Sequence, residues 1–157
     1  MLPHKHFIFG FVLALALFLS LPQVSLIGAA LVLLSSFLMD FDHYLYCTFT
    51  HKDLSLKKAY NWHIKKSKII LVIPKKERKN FRTSFCIFHG IEILIIVSLL
   101  SFFVHSYFYF ILIGVVLHLI LDIYVEVRDF GTVRKLSVIY DFVTRKKLKP
   151  VKEVLDK

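Results

Sequence analysis

The stretch Leu38-Met39-Asp40-Phe41-Asp42-His43 places two carboxylates and an imidazole at the end of a long apolar run. A charged side chain inside a membrane span costs on the order of 2.5–3.5 kcal/mol on insertion scales. Ionisable groups in such a place are therefore interpreted first as functional residues that have partners. The rest of the chain has to supply those partners.

The composition is typical of an integral membrane protein. Of the 157 residues, 57% are hydrophobic and only 20% are charged, which is too apolar for an ordinary soluble domain. The 16 Phe and 7 Tyr residues suit lipid contact and the interfacial aromatic belts. The formal net charge of +10 indicates an anionic partner, and the position of the basic residues decides between nucleic acid and lipid.

Four apolar runs predict four membrane-spanning helices. They cover residues 7–21, 24–46, 85–104 and 107–127, and only Pro22-Gln23 and His105-Ser106 separate the members of each pair. Since a bilayer core of about 30 Å needs roughly 17–25 helical residues, each pair is predicted to be a tight helical hairpin. The first run is short, and a cleaved signal peptide is the alternative interpretation for it.

The basic residues predict the orientation. Apart from Lys5, they fall in two segments, residues 52–82 and 128–157, and none lies in the hairpin turns. By the positive-inside rule, both termini and the central loop are cytoplasmic. The predicted fold is all-α, a four-transmembrane-helix bundle of the cell membrane covering residues 1–127. A cytoplasmic basic loop (48–84) is inserted in it and a basic amphipathic tail (128–157) follows it.

The loop and the tail mix apolar and basic side chains, as in Tyr60, Trp62 and Lys66 of the loop and Arg134 and Lys135 of the tail. This mixture predicts amphipathic segments lying on anionic headgroups, so membrane lipids are the expected partners. No nucleic-acid motif is present, and specific nucleic-acid binding is not expected. The two cysteines show no C-x-x-C spacing and are interpreted as thiols in a reducing compartment.

In this topology the polar residues of all four helices meet at the cytoplasmic side. Asp40 and His43 are at i, i+3, as are His89 and Glu92, whereas His118 and Asp122 are at i, i+4. These spacings put each pair on one helix face, and di-metal bundles use them to present ligands inward. His118 lies about 6 Å deeper in the membrane than Asp122.

Mixed imidazole and carboxylate groups suit a divalent metal, with zinc as the first choice and manganese or iron as alternatives. There are enough ligands for two ions, which together can activate water and stabilise a phosphoryl oxygen. Glu92 is predicted to be a ligand or the general base, and Asp42 is a second catalytic candidate, although Asp42 and Glu126 are also interpretable as interfacial residues. The predicted metal ligands are His6, Asp40, His43, His89, His118 and Asp122.

Two other functions fit the same residues. A proton or metal-ion transporter would use them as a pathway, but the outward halves of the helices contain no acidic residue. A non-catalytic membrane scaffold would use them only to hold its helices together, and its basic surfaces would bind a partner.

The motifs resemble those of the membrane-bound metal-dependent hydrolases, small integral-membrane proteins distantly similar to zinc-dependent phospholipase C. The matching residues are His6-Phe7-Ile8-Phe9-Gly10, the D-x-D-H sequence Asp40-Phe41-Asp42-His43, His89 before the third helix, and H-x-x-x-D from His118 to Asp122. The resemblance covers about residues 4–127. It implies a metal-dependent hydrolase that acts on a phosphoester such as a lipid headgroup.

One position departs from the pattern of that family. Many members carry an H-R-x-x-x-H motif before the third helix, and Ser84 stands where its first histidine would be. In relatives with an H-x-x-E pattern, a glutamate at the position of Glu92 offers a substitute ligand.

Overall fold

In the computed structural model, the described residues are 3–82, 84–133 and 136–150. Arg134, Lys135 and the end of the predicted tail (151–157) lie outside them. Within the described ranges the chain forms helices and no strand, which confirms the all-helical prediction. The helices are α1 (Pro3–Ser20), α2 (Leu26–Leu38), α3 (Phe41–His51), α4 (Leu56–Val72), α5 (Lys75–Arg78), α6 (Ile91–Phe103), α7 (Tyr107–Phe130) and α8 (Val138–Arg145).

Helix α2 lies between α1 and α7, and α6 packs on α7. Two glycines allow these close approaches. A Cβ added at Gly10 of α1 would overlap the side chain of Ser36, and one added at Gly114 of α7 would overlap Ser35 and the carbonyl of Val32. Small residues at helix contacts are typical of membrane bundles, where close backbone packing replaces the hydrophobic driving force.

The second apolar run is interrupted where the sequence predicts one helix. Helix α2 ends at Leu38, the chain turns at Met39 and Asp40, and α3 starts at Phe41. The amide of Asp40 bonds to the carbonyl of Phe37 at 3.1 Å, which is a tighter turn than that of an α-helix. This interruption points the Asp40 side chain into the bundle.

The third run also differs from the prediction. Helix α6 begins at Ile91 rather than near Phe85, and has 13 residues. Residues 84–90 take an irregular path, because the amide of Phe88 and the ring of His89 both bind the carboxylate of Asp42 at 3.0 Å. These long-range bonds replace the helical ones that the apolar sequence would favour.

The central loop is held to the bundle by Arg78. Its guanidinium donates hydrogen bonds to the carbonyls of Leu71 and Ile73 near the end of α4 and to the carbonyl of Asp129 on α7.

Helix α4 starts at the N-cap Ser55, just after Asp53. A hydrogen bond from the side chain of Lys58 and one from the amide of Ser55 lower the pKa of the Asp53 carboxyl.

Among the described residues, three helical segments are long and apolar enough to cross a membrane: Pro3–Ser20, Leu26–His51 and Tyr107–Phe130. Helix α6 is apolar but shorter. Many large apolar side chains on these helices are exposed, including Phe9, Leu19 and Phe103. A soluble protein rarely exposes so much contiguous apolar surface, so these helices are compatible with a lipid environment.

Candidate metal centre

Helix α7 supplies two side chains one turn apart, His118 and Asp122. His118 is fully buried, and its Nδ1 lies 2.7 Å from the carbonyl oxygen of Ser36 on α2. A carbonyl can only accept a hydrogen bond, so Nδ1 carries the proton and Nε2 presents a lone pair. That lone pair lies on the side of Asp122, whose Oδ2 is 3.8 Å from Nε2.

Asp40 enters from the break between α2 and α3. It is only 5% exposed, and neither of its carboxylate oxygens accepts a hydrogen bond. Its Oδ1 instead lies 3.5 Å from Nε2 of His89 and 4.0 Å from Nε2 of His118, and its Oδ2 lies 3.8 Å from Nε2 of His6. A buried carboxylate surrounded by imidazoles at these distances is arranged for a cation.

Helix α1 contributes His6 in its first turns. The ring of His6 is fully buried and stacks on the ring of His118, with a centroid distance of 3.9 Å. Its Nε2 lies 3.2 Å from Oδ1 of Asp122, and its Nδ1 is buried without a hydrogen-bond partner. The Gly10 contact with α2 allows α1 to approach closely enough for this stacking.

His89 comes from the irregular segment before α6, and Asp42 orients it. The carboxylate of Asp42 accepts the Nδ1 proton of His89 at 3.0 Å, which leaves Nε2 as the free ring nitrogen for a ligand role. This Nε2 lies 3.2 Å from Oδ2 of Asp122 and 3.0 Å from Nε2 of His118. A carboxylate that fixes the remote nitrogen of an imidazole is a common support of metal-binding histidines.

We call the side chains of His6, Asp40, His89, His118 and Asp122 the His–Asp cluster. Ligand atoms of His6, His118 and Asp122 lie within 4.8 Å of one another, and so do those of Asp40, His89 and His118. Three imidazole nitrogens and two carboxylates suit a borderline divalent ion, and the unsatisfied oxygens of Asp40 fit the same requirement. The cluster can therefore hold a metal ion.

The structure brings five of the six predicted metal ligands into this cluster, and the sixth, His43, lies at its edge. Nε2 of His43 is 3.6 Å from Oδ1 of Asp40. Asp42, predicted as catalytic, supports His89 from outside the cluster. His63 on α4 donates a hydrogen bond from Nε2 to the carbonyl of His43 at 2.9 Å.

Glu92 is not brought into the cluster. Its carboxylate accepts hydrogen bonds from the hydroxyl of Ser137 at 2.6 Å and from the amides of Val138 and Ile139 at 3.1 and 3.3 Å. Both oxygens are thus engaged by the first turn of α8. The sequence prediction of Glu92 as a ligand or general base has no support in this placement, because its spacing from His89 assumes a helix that starts only at Ile91.

A cavity of about 540 Å³ opens beside the cluster, between α4 and the bundle. Its wall includes Asp40, His43 and Asp122, and it is also lined by basic and apolar side chains. The basic ones are Lys5, Lys66, Lys68 and Arg128, and the apolar ones include Leu56, Ile64, Ile70, Leu71, Val125 and Phe130. The sequence does not reveal this cavity, because it depends on how α4 folds back over the bundle.

From the sequence, Cys86 is interpreted only as a thiol and is not connected with His43. Its sulfur lies 3.2 Å from Nδ1 of His43, within the segment that carries His89. The Cys86-Ile87-Phe88-His89 spacing is the signal in the sequence that points to it.

The fold and the site define an all-helical protein with apolar helices compatible with a membrane and a buried histidine and aspartate cluster able to hold a metal ion. Comparison with protein-family models, curated proteins and solved structures finds no significant match to this chain.

Proposed function

We propose that this chain is a multi-pass membrane protein with a divalent-metal centre at the cytoplasmic ends of its helices, and that it hydrolyses a phosphoester of an amphiphilic substrate such as a lipid headgroup. The observation that carries the proposal is the convergence of the His–Asp cluster beside an apolar cavity with basic side chains. The resemblance of the sequence motifs to membrane-bound metal-dependent hydrolases supports the same activity.

The four-span topology is part of the proposal. Helix α6 has 13 residues and is about 20 Å long, less than the bilayer core of about 30 Å. The irregular segment before it completes the passage on the cytoplasmic side, where His89 and Gly90 are buried in protein. Irregular backbone is tolerated at membrane depth only when protein or a water-filled cavity surrounds it.

The residues of the chain have separate roles in this proposal. A divalent ion, with zinc as our first choice, supplies Lewis acidity toward a phosphoryl oxygen and makes water a stronger nucleophile at neutral pH. Asp42 and the Ser36 carbonyl fix the rings of His89 and His118 with their Nε2 atoms facing inward. Because these supports are in place beforehand, little reorganisation is needed when a metal binds.

The cavity is suited to the two halves of an amphiphile. Lys66 lies at its wall with Nζ 3.5 Å from the hydroxyl of Ser84 and 4.7 Å from the centre of the Trp62 ring. Its charge, together with that of Lys5, would hold a phosphate close to Asp40 and Asp122, whereas the guanidinium of Arg128 is paired with Asp129 at 2.8 Å. The apolar wall would hold the attached hydrocarbon, and the basic loop would favour anionic membranes.

The experiment uses the full chain purified in detergent. We expect elemental analysis to find zinc, manganese or iron, and we expect release of a phosphorylated headgroup or of phosphate from vesicles of an anionic glycerophospholipid. Asp122→Asn and His118→Gln should lose both the metal and the activity. Asp53→Asn is the matched control. It removes a carboxylate in the loop before α4, away from the cluster, and should keep both the metal and the activity.

Two results would overturn the proposal in different ways. Absence of any bound divalent metal, even after incubation with zinc, would end the metal-centre part. Stoichiometric metal without hydrolysis of any phosphoester tested would end the hydrolase part and would favour a structural role for the cluster.

A further inference from the structure

Cys86 lies against the ring of His43, and His43 lines the cavity. Its sulfur is 3.2 Å from Nδ1 and 3.8 Å from Nε2 of the His43 ring. The thiol is only 6% exposed. Four residues each place one ligand atom within 4.8 Å of those of the others: Asp42, His43, Cys86 and His89. This group is thus as compact as either of the two three-residue groups in the His–Asp cluster, but contains sulfur.

Asp42 provides an independent observation that points to a cation site. Its Oδ2 accepts hydrogen bonds from Phe88 and His89, but its Oδ1 is buried and has no hydrogen-bond partner. The residue is 4% exposed, so water does not solvate this oxygen freely. A buried carboxylate oxygen without a partner is unfavourable, because nothing compensates for the water that the charged group has lost. A metal ion bound by Asp42 would satisfy it.

The distances are compatible with a tetrahedral ion. Zinc binds sulfur at about 2.3 Å and nitrogen or oxygen at about 2.0–2.2 Å, which places neighbouring ligand atoms roughly 3.3–3.7 Å apart. The contact between Cys86 and His43 is close to this range. His89 already serves the His–Asp cluster through Nε2 and donates from Nδ1, so the second group has three ligands of its own: Asp42, His43 and Cys86.

We propose that Asp42, His43 and Cys86 form a second metal position, and that Cys86 binds the ion as a thiolate. This inference rests on the proposed function, because it adds a second ion to the same centre. Asp40 lies between the two positions, with Oδ1 3.6 Å from His43 and 3.5 Å from His89, and can bridge them. A thiolate selects a soft or borderline divalent ion such as zinc.

Binding of a metal ion by Cys86 requires no oxidation or reduction. The Cys86 sulfur–hydrogen bond breaks, the proton passes to solvent, and a sulfur–metal bond forms. With three protein ligands and a carboxylate bridge, the second ion faces the cavity through His43, which lines its wall. The position is therefore accessible to a substrate phosphate from the same cavity that Asp40 and Asp122 of the His–Asp cluster reach.

Cobalt(II) tests the inference, because thiolate ligation gives an intense near-ultraviolet charge-transfer band that nitrogen and oxygen ligands do not give. The metal-free full chain in detergent is titrated with Co²⁺. The wild type should bind two equivalents and show the band. Cys86→Ser should lose the band and one of the two equivalents. Cys47→Ser, which changes the other buried cysteine, should keep both.

X-ray absorption of the zinc-loaded wild type gives a second readout that needs no variant. A sulfur scatterer at about 2.3 Å is expected, and its absence would refute the inference even if Cys86→Ser does not fold. Cobalt or zinc bound with nitrogen and oxygen ligands alone would refute the thiolate and leave the proposed metal centre intact. A sulfur signal that persists in Cys86→Ser would also refute it. Binding of no metal at all would refute the proposed function itself.

Discussion

At the scale of single residues, the support of the imidazoles matters as much as the imidazoles themselves. A histidine can ligate through either nitrogen, and its partner at the other nitrogen decides which one. For His118 this partner is the carbonyl of Ser36, and for His89 it is Asp42. Both bonds turn Nε2 toward Asp122. The contacts within the protein thus fix the orientation of both rings.

Replacement of Asp42 tests this organisation. Asp42→Asn keeps the size of the side chain but removes the charge that holds the Nδ1 proton of His89. Loss of such a supporting group typically lowers metal affinity about 10–100-fold. We expect a decrease of this size in zinc affinity, measured by competition with a chelator in detergent.

The matched control for that change is Asp53→Asn, which removes a carboxylate paired with Lys58 outside the cluster. Its zinc affinity should equal that of the wild type. Equal affinity of Asp42→Asn and the wild type would contradict the supporting role of Asp42.

At the scale of helices, the sequence predicts which residues meet but not the two irregular segments that bring them together. The positive-inside rule puts Asp40, His89 and Asp122 at one level, and helical spacing aligns His118 with Asp122. The turn at Met39 and Asp40 and the path of residues 84–90 depend on contacts between distant segments, such as Asp42 with Phe88. A continuous apolar pattern carries no record of those contacts.

For Glu92, the sequence predicts a contact with the metal centre that the structure does not show. Its spacing from His89 predicts a ligand, but its carboxylate caps α8 instead, with Ser137 at 2.6 Å. Loss of a helix cap costs about 0.5–2 kcal/mol. We therefore expect Glu92→Gln to loosen α8 and to increase tryptic cleavage after Arg145 several-fold, while zinc stoichiometry stays unchanged.

Glu77→Gln provides the control for that variant, since Glu77 is exposed on the short helix α5. It should leave both the cleavage rate and the zinc content as in the wild type. Loss of zinc in Glu92→Gln, with α8 still protected from trypsin, would return Glu92 to the site as a ligand.

At the scale of the whole molecule, the distribution of basic residues and the position of the cluster are linked. The segments that carry almost all Lys and Arg, residues 52–82 and 128–157, flank the helix ends at which the cluster lies. If the positive-inside rule holds for this chain, the cavity opens toward the cytoplasm. A substrate would then enter from the inner leaflet, and α4 would lie over that entrance.

Labelling with a membrane-impermeant thiol reagent tests this orientation in intact cells. In a chain with Cys47→Ser and Cys86→Ser, Ser106→Cys in the second hairpin turn should react from outside, because Ser106 is exposed between α6 and α7. Lys57→Cys on the exposed start of α4 should react only after the cells are opened. The reverse pattern would place the cavity on the outer face, where the positive-inside argument for an inner-leaflet substrate fails. Reaction of both positions from the same side would mean that α6 does not cross the membrane.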